Sequence, residues 1–166
     1  DEFEAEAESH YRAALEQEPE HAAASEALGR LMARQGRLAE AVPALVTAAM
    51  HIELDPARAA ETAAVAARVL LELDRAEEAE EVLKDALQRA PDSQRALLEL
   101  ARLYERSGRT TEQAIVLENL SQLPLSSMLG AEVAYRRAAL LLPVTGGDPY
   151  SPETERARAY LLEAVG

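Results

Sequence analysis

Few side chains in this sequence are spaced for catalysis or for metal binding. His10 follows Glu6 by one helical turn, so the two could share a metal ion, but two such ligands arise often by chance on an acidic helix. The chain contains no nucleophile elbow, no phosphate-cradling glycine loop and no paired-histidine metal motif. Neighbouring carboxylates such as Glu77 and Glu78 are typical of a solvated helix face, which does not prepare them for acid–base chemistry. The sequence therefore predicts no catalytic residue, no metal site, no cofactor and no enzymatic activity.

The basic residues offer a different chemistry, because almost all of them are arginines. Lys84 is the one lysine among 17 basic residues. A guanidinium group presents a rigid fork of N–H donors that matches a carboxylate two hydrogen bonds at a time. Several arginines on one surface could therefore hold an acidic peptide or a C-terminal carboxylate. The excess of arginine over lysine, together with the abundance of alanine, is also typical of a high-GC, bacterial coding sequence.

Charge and composition exclude several classes of partner. The net charge of −13 is opposite to the basic footprint of a nucleic-acid-binding protein, so no nucleic acid partner is predicted. The longest apolar stretch, residues 138–144, is too short to cross a bilayer, and no signal peptide or lipidation motif is present. We expect a soluble segment without membrane insertion. The sequence does not fix the compartment, although the cytoplasm is favoured.

A pattern of small residues and prolines recurs along the chain and indicates repeated structural units. In the segment 79–91, a large residue, a second alanine and a proline follow Ala79 by four, seven and twelve positions, and the same spacing starts at Ala7. The flanking residues extend the unit to a first helix, a tight turn near Gly36 or Gly108, a second helix and a turn marked by proline. The period is about 34 residues.

This periodic set resembles the tetratricopeptide repeat (TPR) family. The matching residues fall in three units: Leu28, Gly29, Ala41 and Ala48; Ala79, Leu83, Ala86 and Pro91; and Leu97, Leu100, Ala101, Tyr104, Gly108 and Ala114. The tryptophan usual at the fourth position of the repeat is replaced by Ser25, Ala63 and Leu97. Such departures are typical of a natural, diverged array. The resemblance implies an all-α fold, a right-handed α–α superhelix or solenoid of about four to five helix hairpins.

The predicted organisation is a single TPR-like solenoid over residues 1–166. The chain starts inside a repeat, which predicts that it is a fragment of a longer protein. The expected parts are the second helix of a partial repeat at 1–19, repeats at 22–56, 57–91 and 92–124, and a diverged repeat at 126–166. Helices are expected at 5–18, 22–35, 38–53, 57–73, 75–89, 93–107, 111–122 and 128–142, and from 152 or 153 onward, with residues 1–4 frayed.

Two features interrupt this regular pattern. Pro43 falls inside a second helix, where it should remove a backbone hydrogen bond or bend the helix. The composition of residues 143–152 predicts a long loop in the last repeat. This loop is either a tolerated surface insertion or a contact loop that presents Tyr150.

In the family that this sequence resembles, the first helix of each unit lines a concave groove. With units started at residues 22, 60, 94 and 128, the ninth position of that helix is arginine in all four units, and the thirteenth is arginine in two. The resemblance thus implies a peptide-binding groove that contains Arg30, Arg34, Arg68, Arg102, Arg106 and Arg136. The alternative is ordinary pairing on the helix surface, of Arg30 with Glu26, Arg68 with Glu72, and Arg102 with Glu99 or Glu105.

We therefore expect a non-catalytic protein-interaction module or scaffold that binds a peptide or partner segment, acidic if the arginines hold it. Two other functions stay open. The segment could be a structural or self-associating solenoid, or it could be a regulatory domain of a larger enzyme or transcription factor. The sequence does not decide whether the concave or the convex face binds a partner.

Overall fold

The structure is a computed structural model that describes residues 2–51, 55–142 and 151–165, and within these ranges it contains α-helices and no β-strand. In chain order the helices are α1 (Glu2–Gln17), α2 (Ala22–Arg34), α3 (Leu38–Met50), α4 (Pro56–Glu72), α5 (Ala76–Arg89), α6 (Gln94–Arg106), α7 (Thr110–Ser121), α8 (Ser127–Leu141) and α9 (Pro152–Val165). None of these helices is both long enough and apolar enough to span a lipid bilayer.

The chain divides into two compact units, Asp1–Glu99 and Leu100–Gly166, and the division falls inside α6. In the first unit, α1 to α5 pack in sequence, each helix on the next, and α3 also contacts α5. In the second unit, α8 packs against both α7 and α9. Contacts between helices that are close in sequence are what stacked helix hairpins produce, because each repeat contacts only its neighbours.

Small residues let the helices of the first unit approach closely. One close approach is at Gly29 of α2, where an added Cβ atom would lie only 2.6 Å from Cγ of Leu45 in α3. Larger aliphatic side chains, such as Leu45, Leu70 and Leu83, fill the space between helices and are fully buried. Several alanines of these helices have no exposed surface: Ala41, Ala48, Ala60, Ala63, Ala66, Ala67 and Ala79.

The turn inside a hairpin has the same geometry three times. Gly36, Asp74 and Gly108 each adopt a positive φ, of 76°, 57° and 67°. The N–H group of the next residue donates to a carbonyl group five residues earlier, and the N···O distance is 2.9 Å in each pair: Arg37 to Met32, Arg75 to Leu70, and Arg109 to Tyr104. This is the Schellman ending of a helix. The two glycines were predictable, whereas Asp74 was not, because few non-glycine residues adopt this conformation.

The predicted helices are confirmed, with small corrections at their ends. α1 begins at Glu2, so residues 2–4 are helical rather than frayed, and α3 ends at Met50 rather than at residue 53. α3 continues through Pro43. The carbonyl group that loses its partner belongs to Ala39, which is exposed, so water can reach it.

The predicted loop at 143–152 falls mostly on residues 143–150, which lie outside the described residues, and so does Tyr150. The last two positions of the predicted loop are described and begin α9. Ser151 caps this helix, because its hydroxyl oxygen accepts a hydrogen bond from the N–H group of Thr154 at 3.2 Å. Pro152 occupies the first helical position, where its missing N–H group costs nothing.

Candidate binding groove

In the first unit, α2 and α4 line a groove of about 450 Å³. These are the first helices of two successive hairpins, as the resemblance to the TPR family implied. Three of the six predicted arginines, Arg30, Arg34 and Arg68, line this groove together with Glu72. The rest of the lining is apolar or aromatic: Tyr11, Ala27, Ala33, Leu38, Val65 and Val69.

Arg30 is held in place by an ion pair inside its own helix. Its Nε donates to Oε1 of Glu26 at 2.9 Å, and the other carboxylate oxygen, Oε2, accepts from Nε of Arg58 at 3.1 Å. Glu26 is only 7% exposed, so its charge is taken out of water and needs both guanidinium groups as partners. The predicted alternative, pairing of Arg30 with Glu26, is therefore present. Arg30 contributes positive charge to the groove from a fixed position.

Arg34 and Arg68 are exposed, and neither makes a hydrogen bond or an ion pair with any residue that the structure describes. The pair suggested between Arg68 and Glu72 is not formed, although both residues line the groove. One turn before Arg68 the chain has Ala64, at the place where Glu26 stands before Arg30. The N–H donors of Arg34 and Arg68 are consequently open to a ligand.

Arg102, Arg106 and Arg136 belong to the second unit, and each interacts with other residues of the chain. Nη2 of Arg102 and Nη2 of Arg136 both donate to Oε1 of Glu132, at 2.8 and 3.1 Å. Arg136 also pairs with Glu105, and Arg106 has a further interaction of its own. Partial burial alone would raise the pKa of Glu132, but the hydrogen bonds and charges of Arg102 and Arg136 outweigh it and hold that pKa below its ordinary value.

A recurring arginine was missed by the sequence reasoning. Each Schellman turn is followed by Arg-x-x-Glu, a spacing that is visible in the sequence. The arginine pairs with the glutamate in the first turn of the next helix, with closest N···O distances of 2.6, 2.6 and 2.8 Å: Arg37 with Glu40, Arg75 with Glu78, and Arg109 with Glu112. The hydrogen bond from Arg75 lowers the pKa of Glu78. These pairs fix the turns and leave the groove arginines as the better candidates for binding.

The described residues offer no metal centre. They contain no group of three or more His, Asp or Glu side chains placed to hold an ion. Nε2 of His10 lies 3.9 Å from Oε1 of Glu6, and both side chains are mostly exposed. The pair is a surface contact between neighbouring turns of α1.

Two family models of the tetratricopeptide repeat match the chain, one at residues 5–63 and one at residues 70–117, and together they span more than half of it. The chain belongs to the tetratricopeptide-repeat family. TPR proteins are generally protein-interaction modules, and they are typically non-catalytic. Among curated proteins, no sequence matches this TPR chain.

Three solved structures illustrate the similarity of this chain to TPR proteins in fold. YrrB, described as a TPR protein with an unusual peptide-binding site, has a TM-score of 0.69 and 18% identity, and the match covers 99% of this chain and 77% of YrrB. MamA has a TM-score of 0.72 and 16% identity, with 93% and 82% covered. The pilF protein of Pseudomonas aeruginosa has a TM-score of 0.59 and 20% identity, with 91% and 72% covered. At these identities the likeness concerns the fold, and it confirms an all-α TPR solenoid.

Proposed function

We propose that this TPR chain is a non-catalytic protein-binding module, and that its α2–α4 groove holds an acidic peptide or partner segment. The observation that carries the proposal is the pair Arg34 and Arg68. Both guanidinium groups are exposed on one groove, and neither has a partner among the residues that the structure describes. Arg30 lines the same groove, where it is paired with Glu26.

The groove can recognise a ligand by charge and by apolar contact together. A carboxylate can take two parallel hydrogen bonds from one guanidinium, and a hydrogen bond to a charged group contributes about 1.5–3 kcal/mol when it is well formed. The groove also has an apolar wall, formed by Val65, Val69 and Leu38. This wall can contact an apolar side chain that stands between two acidic residues of the ligand. Glu72 repels a carboxylate at its own position, so the ligand should be neutral or basic there.

The net charge of −13 makes this recognition selective. The body of the protein repels an acidic peptide, and only a local cluster of arginines can overcome that repulsion. An acidic ligand is therefore expected to bind at the groove rather than at the rest of the surface.

Isothermal titration with the peptide acetyl-Asp-Leu-Glu-Val-Asp-amide tests the proposal. In the double variant Arg34→Gln/Arg68→Gln, affinity at low salt should fall at least about tenfold, which corresponds to 1.4 kcal/mol. Raising the salt concentration should weaken binding to the wild type, because ions screen exposed charges.

The matched control is Arg156→Gln/Arg158→Gln, which removes two exposed arginines of α9 in the second unit. This variant has the same net charge as the groove variant and should bind the peptide like the wild type. Equal affinity of the groove variant and the wild type, or an equal loss in both variants, would contradict the proposal.

A further inference from the structure

A second groove in the first unit has an apolar floor and an acidic rim. It lies between α3 and α5, the second helices of two successive hairpins, and its volume is about 320 Å³. Its apolar lining consists of Val46, Ala49, Met50, Leu70 and Val82. None of these residues belongs to the α2–α4 groove.

The rim of the α3–α5 groove carries three carboxylates, Glu78, Glu81 and Asp85, on one side of α5. Glu78 is paired with Arg75 at 2.6 Å. Glu81 is exposed and makes no hydrogen bond or ion pair with any described residue. The groove therefore presents at least one carboxylate that a cationic partner can approach without displacing an internal pair.

Among the described residues that line this groove, the one cation is Arg89, and it is already engaged. Nη2 of Arg89 donates to the carbonyl oxygen of Ala49 at 2.9 Å and lies 3.4 Å from Oδ2 of Asp85. This hydrogen bond connects the end of α5 to α3. With one arginine against three carboxylates, the lining residues that the structure describes have a net negative charge.

Met50 gives the groove an adaptable apolar wall. This residue is 61% exposed although it lines the cavity. Methionine is flexible and polarisable, so it packs against apolar side chains of different shapes. An aliphatic side chain placed between Met50 and Val82 would remove apolar surface of both from water.

We propose that the α3–α5 groove docks a basic partner segment that inserts one large aliphatic side chain between Met50 and Val82. Lysine or arginine on either side of that aliphatic residue would lie against Glu81 and Asp85. The charge of the rim selects this partner, since opposite charges attract and an acidic segment would be repelled. The two grooves of the first unit thus select segments of opposite charge, and the failure of one proposal would leave the other standing.

The methionine methyl groups provide a direct test by NMR. The chain has three methionines: Met50 in the groove, Met32 in the core at 4% exposure, and Met128 on α8 at 82% exposure. With ¹³C-methyl-methionine protein and the peptide acetyl-Lys-Lys-Leu-Lys-Lys-amide at up to millimolar concentration, the Met50 signal should shift in a saturable manner. Met32 and Met128 should not shift. No shift of Met50, or an equal shift of Met128, would overturn the proposal.

Two substitutions separate specific docking from attraction to net charge. Glu81→Lys should weaken binding of the peptide by about tenfold, because it reverses a charge on the rim. Glu16→Lys makes the same change in net charge at an exposed position of α1 and should weaken binding by less than about twofold. The peptide with alanine in place of leucine should also bind more weakly than the original. Equal effects of the two substitutions, or full binding of the alanine peptide, would show a response to charge alone and would contradict the proposal.

Discussion

A glutamate one helical turn before an arginine engages that arginine in two units of this chain. Arg30 follows Glu26 and is held by it, and Arg136 follows Glu132 in the same way. Arg68 follows Ala64 and has no partner within the described chain. One residue type at equivalent repeat positions therefore serves structure in some units and remains open to a ligand in another.

Gly29 is required by the distance between α2 and α3. We expect Gly29→Ala to lower the free energy of unfolding by about 1–3 kcal/mol, because the new methyl group overlaps Leu45 and forces the helices apart. Gly130→Ala is the matched control. It also lies inside a helix, but its nearest neighbour, Cβ of Leu125, is 4.0 Å from the added atom.

The control should gain up to about 1 kcal/mol from the better helix propensity of alanine. Urea denaturation of both variants measures the two changes. A Gly29→Ala protein as stable as the wild type would mean that the close approach of these helices is not rigid.

The helix hairpins repeat one local device. A residue with a left-handed backbone conformation ends the first helix, and the next residue is an arginine. That arginine pairs with a glutamate in the first turn of the second helix. A carboxylate in the first turn is also favoured by the helix dipole. The device fixes the direction in which the second helix starts, so that successive hairpins present equivalent helices to each groove.

Pro43 is a local weakness inside α3. We expect Pro43→Ala to raise the free energy of unfolding by about 1–3 kcal/mol, because it restores the hydrogen bond to the carbonyl of Ala39 and removes the steric conflict of the ring. The greater freedom of alanine in the unfolded chain subtracts a part of this gain.

Pro56→Ala is the control, since Pro56 occupies the first turn of α4, where proline is favourable. It should be neutral or slightly destabilising in the same denaturation experiment. If Pro43→Ala gave no gain over Pro56→Ala, the helix would be shown to accommodate its proline without loss.

The sequence predicted the helices well because their signals are local. Apolar periodicity, Gly36, Gly108 and the prolines all act within one or two turns of the chain. Asp74 escaped prediction because its conformation is uncommon for its residue type. The pairs between neighbouring hairpins, such as Arg58 with Glu26 and Arg102 with Glu132, could not be read from one helix, because they depend on the register of one hairpin against the next.

The distribution of ion pairs makes the stability of the protein depend on pH. Among the residues that the structure describes, arginine partners lower the pKa values of Glu8, Glu40, Glu78 and Glu132. A carboxyl group with a lowered pKa in the folded state contributes its full stability above the pKa of the unfolded chain, and this contribution is lost as the pH falls through the folded value. We therefore expect the free energy of unfolding to decline below about pH 4.3, the ordinary glutamate value.

The variant Glu132→Gln measures how much one of these carboxyl groups contributes to the pH dependence of stability. The variant should be less stable than the wild type at pH 7, and the difference should shrink as the pH is lowered toward 3. Glu16→Gln, at an exposed carboxylate with no partner among the described residues, should follow the wild-type profile. Urea denaturation over this pH range measures all three proteins, and a constant gap for Glu132→Gln would rule out the assigned coupling.

The locality of the contacts has a consequence for how the chain folds. In the described part of the first unit, most contacts between helices join neighbours along the chain. The others join helices that are next but one, as α3 with α5 and, through Glu26 and Arg58, α2 with α4. Short separations demand little closure entropy before attractive contacts form, so a nucleus can start at any hairpin and grow in both directions. A destabilising substitution in one hairpin would then make folding start at another hairpin, and it would not block folding.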